Sequence, residues 1–484
     1  MVKTQFTQQR CAGVLLHITS LPNRDLGLDA YRFVDFLVEA GITIWQILPL
    51  GPVLKDLSPY QCLSAHAGNP NLISLQALVD EPWFISPASS IDLSNRKWVL
   101  NQAYRYFTAY ASKEDRERFA AFCRDQFWLK DYALFQALRE SQNESPWFKW
   151  SPNFRKREPQ ALKSAAKRLR ILVEKNCFEQ FIFFQQWLNL KDYANKHGIL
   201  ILGDMPIFVA HDSADAWIQP AYFTLDENGQ LITVAGVPPD YFSATGQRWG
   251  NPLYRWDRIV ADKFQWWVKR IGTTLKLCDM VRLDHFRGFE SYWEIPASSE
   301  IAADGRWVKA PGAALFHALE VCYGALPIVA EDLGIITPEV KALRDQFHFP
   351  GMKILQFAFE GGIDNPYLPS HHVENCIVYT GTHDNDTTLG WFDSLPDEKR
   401  HYVYESLGFP TMSMPWALIE CAFKSVARYA VVPLQDILAL GSEGRMNIPG
   451  TAKGNWRWCF NWSQIEQDLP ARIYHLLKNY NRLQ

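Results

Sequence analysis

Four acidic residues each follow, directly or within a few positions, a short apolar segment of the kind that forms a buried strand. They are Asp204, Asp284, Glu331 and Asp384. A single acid in such a place is usually a turn former or a helix cap. Four of them on separate strands of a parallel barrel would meet on one rim, where barrel enzymes carry their chemistry. Two carboxyl groups that flank one bond are what cleavage of a glycosidic bond requires.

A basic residue stands two positions before one of these acids. Arg282 and Asp284 would point to the same side of a strand, because side chains alternate with a period of two. A guanidinium beside a carboxylate favours the ionised form of the acid, so we expect Asp284 to stay ionised. Glu331, partly desolvated and close to other acids, is expected to keep its proton near neutral pH. The alternative for Arg282 and Asp284 is a salt bridge with a structural role only.

The acids belong to a regular alternation of apolar segments and segments with helical spacing. Strand candidates are Ala12–Ile18, Ile42–Leu48, Ile199–Gly203, Asp279–Leu283, Leu326–Ala330, Lys353–Phe357, Ile377–Thr380 and Tyr429–Pro433. Buried strands that alternate with helices predict an α/β fold with a parallel sheet, and eight of them favour a (β/α)8 TIM-type barrel. An open doubly wound sheet is the alternative, but no G-x-G-x-x-G follows the first candidate.

The chain is longer than a minimal barrel, and two stretches account for most of the excess. We interpret residues 1–484 as a single catalytic barrel that carries large, mainly helical insertions at 71–197 and 385–428. Residues 235–254, called the lid segment below, combine glycines, prolines and aromatic residues in what we expect to be a loop over the active site. Loops of this kind can close over a site and exclude water.

Composition excludes several classes of partner and cofactor. The net charge of −3 provides no basic field for nucleic acid or for an anionic membrane surface. No apolar run is long enough to span a membrane, and no signal peptide is recognisable. The nine cysteines are scattered without C-x-x-C spacing, which is typical of reduced thiols in the cytoplasm. No histidine cluster has metal-ligand spacing and no phosphate loop is present, so we expect neither a metal nor a cofactor.

Eight short motifs, in order along nearly the whole chain, are similar to those of the amylomaltases, the 4-α-glucanotransferases of glycoside hydrolase family 77 in the α-amylase clan. The motifs are Ser58-Pro59-Tyr60-Gln61, Gly203-Asp204-Met205-Pro206, Gly236-Val237-Pro238-Pro239-Asp240, Gln247-Arg248-Trp249-Gly250, Arg282-Leu283-Asp284-His285-Phe286-Arg287-Gly288, Ala330-Glu331-Asp332-Leu333-Gly334, Thr382-His383-Asp384-Asn385 and Arg445-Met446-Asn447. The resemblance implies cleavage of α-1,4-glucan and transfer of the glucanosyl segment to the 4-OH of an acceptor sugar. It also implies a retaining double displacement, with glucan donors and with glucose or maltooligosaccharide acceptors.

The resemblance also implies roles for individual residues. Asp284 resembles the nucleophile, Glu331 the general acid/base, and Asp384 the third acid, which binds sugar hydroxyls. Residues that resemble substrate-binding positions are Tyr60, Asp204, Asp240, Tyr241, Phe242, Gln247, Trp249, Arg282, His285, His383, Asn447 and Pro449. Many members also carry a tyrosine that belongs to a second glucan site. The corresponding stretch here, Val53-Leu54-Lys55-Asp56-Leu57, has no aromatic residue.

Two other functions fit parts of the pattern. An α-glucan hydrolase of the same clan would use the same carboxylates, because water and a sugar attack the same intermediate. A non-catalytic glucan-binding protein would be marked by loss of one of the three acids, and all three are present. The aromatic lid segment favours transfer over hydrolysis.

Overall fold

The computed structural model describes residues 9–85, 92–239, 245–451 and 453–483. Twelve strands lie within these ranges, and eight of them are parallel. The strands are β1 (Cys11–Leu15), β2 (Ile44–Gln46), β3 (Leu200–Met205), β4 (Thr233–Val237), β5 (Gln247–Pro252), β6 (Met280–Leu283), β7 (Ser291–Pro296), β8 (Arg306–Lys309), β9 (Ile328–Ala330), β10 (Gly351–Ile354), β11 (Cys376–Tyr379) and β12 (Tyr429–Pro433).

The parallel strands form one sheet in the order β10-β11-β12-β1-β2-β3-β6-β9. The two ends of this order also meet, because the N–H of Ala330 donates to the carbonyl of Pro350 at 2.9 Å. The sheet is therefore rolled into a barrel, and the predicted fold class is confirmed. Strands β1, β11 and β12 are buried along their whole length, as expected for strands covered on both faces.

All eight predicted strands are present, with shifts at their ends. The largest shift concerns the candidate Lys353–Phe357, whose strand β10 ends at Ile354. Residues Leu355–Phe359 form a 3-10 helix instead, because their apolar side chains are buried by a tight turn and need no strand neighbour.

Within the described ranges, eighteen α-helices surround the barrel or belong to its insertions. They are α1 (Leu28–Glu39), α2 (Leu75–Val79), α3 (Arg96–Tyr110), α4 (Lys113–Asp125), α5 (Leu129–Ser141), α6 (Pro152–Arg155), α7 (Pro159–Arg168), α8 (Arg170–Lys196), α9 (Ala214–Ile218), α10 (Trp256–Ala261), α11 (Gln265–Leu277), α12 (Gly312–Tyr323), α13 (Pro338–Gln346), α14 (Thr388–Ser394), α15 (Asp397–Ser406), α16 (Trp416–Lys424), α17 (Leu434–Ile437) and α18 (Leu469–Asn479). No helix in these ranges is both long and apolar enough to cross a membrane.

The stretch 71–197 contains helices α2 to α8. Its longest helix, α8, spans 27 residues and leads directly into β3. Phe107 and Phe178 pack their rings 5.1 Å apart inside this block, so the helices share an aromatic core with each other. The stretch 385–428 contains α14, α15 and α16.

The lid segment is not a continuous loop, which differs from the expectation. Ala235–Val237 belongs to β4 and Gln247–Pro252 to β5, and the two strands pair in antiparallel register. They join β7 and β8 in a four-stranded sheet with the order β5-β4-β7-β8. Gly236 lies within β4, and Gly250 and Pro252 lie within β5, so residue types that the prediction interpreted as loop signals belong to strands here.

One buried arginine fastens the end of the chain to the base of the barrel. Arg482 is fully buried and donates hydrogen bonds to the carbonyls of Phe423 (2.7 Å), Cys11 (2.9 Å), Ser425 (2.9 Å) and Ala427 (3.0 Å). Burial lowers the pKa of Arg482 to about 9. Cys11 is the first residue of β1, and Ala427 stands two residues before β12, so this contact lies opposite the rim that carries the acids.

Replacing Arg482 by Met should destabilise the protein without affecting its chemistry. The variant removes one donor from each of four carbonyls, but those of Phe423 and Ser425 still accept from Arg10. At roughly 1 kcal/mol or more for each of the other two, we expect the free energy of unfolding to fall by about 2 kcal/mol or more. Urea unfolding followed by tryptophan fluorescence measures this loss. Arg124→Met, at an exposed ion pair, is the control and should change little. Equal stability of the two variants would contradict the assigned role of Arg482.

Candidate active site

The centre of the site is an arginine that contacts two acids on the carboxyl-terminal rim of the barrel. Strand β3 pairs with β6 in a register that places Asp204 beside Arg282. Nη1 of Arg282 lies 2.8 and 2.7 Å from the two carboxylate oxygens of Asp204. Nη2 lies 3.0 Å from Oδ1 of Asp284, two residues further along the same strand face. The guanidinium therefore fixes the position of both carboxylates.

Asp284 and Glu331 are neighbours because their strands are neighbours. Strand β6 pairs with β9 so that Leu283 lies beside Ala330, and the two acids are the next residues on each strand. Both oxygens of Glu331 accept backbone hydrogen bonds, Oε2 from the N–H of His285 (2.6 Å) and Oε1 from that of Leu333 (3.0 Å). His285 has a positive φ of 51°, which is uncommon for a residue other than glycine.

A tyrosine hydroxyl connects this centre to the third acid. The hydroxyl of Tyr60 donates to Oδ2 of Asp204 at 2.7 Å and lies 2.8 Å from Nε2 of His383. The same Nε2 lies 3.4 Å from Oδ2 of Asp384. His383 is buried, and burial lowers its pKa despite the opposing charge of Asp384.

Asp384 is held from the loop that follows β12. Nδ2 of Asn447 donates to Oδ1 of Asp384 at 2.6 Å, and Nη2 of Arg445 donates to its backbone carbonyl at 2.9 Å. The Asp384 side chain is 48% exposed, so it faces open space above the barrel. Pro449 is exposed two residues beyond Asn447.

Part of the lid segment reaches the site. The ring of Trp249 lies edge-to-face on His285, with 4.8 Å between ring centroids, and its Nε1 donates to Oε1 of Gln247 at 3.0 Å. Nε2 of His285 is buried and finds no hydrogen-bond partner among the described residues. The remaining predicted positions in the lid, Asp240, Tyr241 and Phe242, lie outside the described residues.

Comparison with known proteins identifies the family. The family model described as 4-alpha-glucanotransferase, glycoside hydrolase family 77, matches residues 16–464. The chain belongs to this family. It is 50% identical to the 4-alpha-glucanotransferase of Thermus thermophilus over 98% of this chain and 99% of that protein. It is 48% identical to that of Synechocystis sp. over 98% of each chain.

A solved structure gives the same answer. The amylomaltase from Streptococcus agalactiae in complex with acarbose superimposes with a TM-score of 0.94 at 36% identity, over 98% of this chain and 100% of that one. The 4-α-glucanotransferase family and the transferase activity predicted from the motifs are therefore confirmed.

The sequence interpretation of this glucanotransferase missed two residues that shape the site. Trp456 is buried, with its ring centroid 6.0 Å from that of Tyr60 and 5.9 Å from that of His383. It stands in no recognised motif, so no signal pointed to it. Arg445 opens the motif that contains Asn447, but its contact with the Asp384 carbonyl depends on a loop conformation that spacing does not predict.

The pKa of Asp284 differs from the expectation, whereas that of Glu331 is raised as expected. Burial raises the pKa of Asp284, and the nearby carboxylates of Asp204 and Glu331 add to this, while Arg282 opposes it. Burial likewise raises the pKa of Glu331, against the effects of Arg282 and of the two backbone donors. Burial therefore disfavours the charged form of both acids in the free enzyme, and Arg282 opposes this effect at each of them.

The described residues contain no group of three or more His, Cys, Asp or Glu side chains suited to a metal ion. Independence from metals and cofactors stays a prediction.

Replacing Asp284 by Asn should stabilise the protein relative to the parent, by an amount that grows as the pH rises. A raised pKa in the folded state means that folding takes up a proton between the ordinary aspartate pKa and the raised one, so stability falls across that window. Asn removes this titration. We expect the unfolding free energy of Asp284→Asn to exceed that of the parent near pH 8, and the advantage to shrink towards pH 5. Urea unfolding at several pH values measures both curves, and a difference independent of pH would contradict the assignment.

Proposed function

We propose that this 4-α-glucanotransferase works by a retaining double displacement with Asp284 as nucleophile and Glu331 as general acid and base. The observation that carries the proposal is the placement of the two acids at the ends of paired strands, with Arg282 in contact with Asp284. Two carboxyl groups side by side suit an enzyme that forms a covalent glycosyl intermediate, because no water has to fit between the nucleophile and the sugar.

In the first step, a carboxylate oxygen of Asp284 attacks the anomeric carbon of the donor. The bond from that carbon to the glycosidic oxygen breaks, and Glu331 gives its proton to the departing oxygen. The products are a glucanosyl ester on Asp284 and a shortened glucan with a free 4-OH. Glu331 must be protonated and Asp284 ionised for this step. The contact with Arg282 favours the ionised form of Asp284.

The second step reverses the first with a new acceptor. Glu331, now ionised, removes the proton from the 4-OH of the acceptor sugar, whose oxygen attacks the anomeric carbon and displaces Asp284. Two inversions at one carbon leave the new bond in the α configuration. The donors are α-1,4-glucans, and the acceptors are glucose or maltooligosaccharides.

The remaining polar groups on the rim bind the sugar at the cleavage point. Asp384, with an exposed carboxylate next to His383, is suited to accept hydrogen bonds from sugar hydroxyls as the ring distorts. Tyr60 and Asp204 position Arg282 and His383 around that sugar. Asn447 and Pro449 line the same side, and His285, Trp249 and Gln247 line the other. From the family motif alone, we propose that Asp240, Tyr241 and Phe242, which lie outside the described residues, bind the acceptor sugar.

We also propose a cytoplasmic location, because no disulfide joins any of the nine cysteines, all of which lie among the described residues, and this suits a reducing environment.

Maltotriose distinguishes transfer from the alternative of hydrolysis. A glucanotransferase converts it to glucose together with maltodextrins longer than maltotriose, whereas a hydrolase yields only shorter sugars. Chromatography of the products over time decides between them. Absence of any product longer than the substrate would overturn the proposal.

Replacing Trp249 by Ala should raise the ratio of hydrolysis to transfer. Its ring covers His285, and loss of that surface weakens acceptor binding and admits water to the intermediate, while Asp284 and Glu331 keep their contacts. The ratio is measured as free glucose against longer maltodextrins formed from maltotriose. Trp98→Ala is the control, because Trp98 is exposed on α3 in the helical insertion. An unchanged ratio in Trp249→Ala would remove Trp249 from the acceptor site.

A further inference from the structure

A buried carboxylate behind the site ties together both ends of the segment that carries Asp384. Asp436 lies on α17, directly after β12, and is 1% exposed. Its Oδ2 accepts hydrogen bonds from the hydroxyls of Thr380 and Thr388, both at 2.6 Å. Its Oδ1 accepts from the backbone N–H of Thr388 at 2.7 Å. Thr380 and Thr388 stand four residues before and four residues after Asp384, and both are fully buried.

The rest of the segment is braced from the same direction. Nε2 of Gln356 donates to the carbonyl of Asp386 at 2.9 Å, and the hydroxyl of Ser442 donates to its carboxylate at 2.7 Å. Inside the segment, the N–H and hydroxyl of Thr382 both donate to Oδ1 of Asn385 at 2.9 Å. Gln356 also contacts one end, because its backbone N–H donates to the carbonyl of Thr380 at 3.2 Å, but Asp436 contacts both end residues, Thr380 and Thr388.

Burial of the Asp436 carboxylate carries a desolvation free energy, so this residue is not expected here merely to fill space. No Lys, Arg or His among the described residues forms an ion pair with Asp436, and an unpaired buried charge is unfavourable unless hydrogen bonds compensate it. The three short donors supply such compensation. A pair of apolar side chains could fill the same space, but it could not fix the separation of Thr380 and Thr388.

We propose that Asp436 is a positioning residue for the transfer reaction, which closes the segment 380–388 and thereby sets the place of Asp384 and His383. It touches neither substrate nor the reacting acids, and it acts through Asp384. The inference rests on the proposed role of Asp384 in binding the distorted sugar.

The kinetic test uses Asp436→Ala in the full-length enzyme. Displacement of a substrate-binding group by about 1 Å can cost on the order of 100-fold in rate. We therefore expect kcat for maltotriose to fall between about tenfold and 100-fold, with KM changed by less than about threefold. Asp436→Asn should recover most of the activity, because the amide keeps one acceptor and hydroxyls can accept as well as donate.

A double-mutant cycle separates positioning from general stability. In an Asp384→Asn background, Asp436→Ala should have little further effect on kcat, because the group through which it acts is already lost. The matched control is Asp279, whose carboxylate accepts from the N–H of Ile201 (2.8 Å) and pairs with Lys191 (2.8 Å) at the opposite end of the barrel. Asp279→Ala should lower Tm and leave kcat nearly unchanged. Additive losses in the cycle, or an equal kcat loss in Asp279→Ala, would overturn the proposal.

A second readout does not depend on the chemistry. Hydrogen exchange followed by mass spectrometry should show faster exchange of segment 380–388 in Asp436→Ala than in the parent. If the Ala variant does not fold, Thr380→Val removes one of the three donors and should raise exchange in the same segment. Thr43→Val is its control, because the Thr43 hydroxyl is buried without a partner. Unchanged hydrogen exchange in the variants refutes the positioning role of Asp436 but leaves the proposed function standing. If the parent enzyme makes no product longer than maltotriose, the proposed function is refuted instead.

Discussion

The contact of Arg282 with Asp204 and Asp284 is the interaction on which the rest of the site depends. Burial alone would lower the pKa of Arg282, but the surrounding carboxylates raise it well above its ordinary value, so the guanidinium is always charged. Several acids meet at one end of the barrel, and their mutual repulsion in a partly desolvated pocket would otherwise oppose folding. One fixed positive charge reduces this repulsion and also determines where each neighbouring carboxylate lies.

The pairing of the barrel strands places the other acids near Arg282. Asp204, Arg282 and Glu331 lie on or directly after three consecutive strands, so backbone pairing places them within reach of each other. The third acid, Asp384, follows β11, which is not a neighbour of β3 or β6, so strand pairing does not place it beside Arg282. The chain after β12 holds it instead, through Asn447 and Arg445 at the surface and through Asp436 on α17 beneath.

The sequence predicted the parts of this structure that follow from short-range rules. Buried apolar runs identified the eight barrel strands, and alternation within β6 predicted that Arg282 and Asp284 share a face. The pairing of β4 with β5 was missed, because glycine inside both strands and proline inside β5 indicate a loop when only the sequence is read. Trp456 was missed because its contacts cross nearly 400 positions of the chain to Tyr60, a distance over which no local pattern carries information. The raised pKa of Asp284 was missed because it depends on burial and on several charges at once, and motif spacing describes neither.

The most direct test of the double displacement asks whether Asp284 becomes covalently bound to the sugar of the donor. Glu331→Gln is incubated with α-maltosyl fluoride, whose fluoride leaves without a proton from Glu331, while release of the sugar still requires the missing base. If Asp284 is the nucleophile, intact-protein mass spectrometry shows one added maltosyl group, and peptide mapping places it on Asp284. The double variant with Asp284→Asn then shows no added group. An adduct on Asp204 or Asp384, or no adduct while the fluoride is consumed, would contradict this assignment.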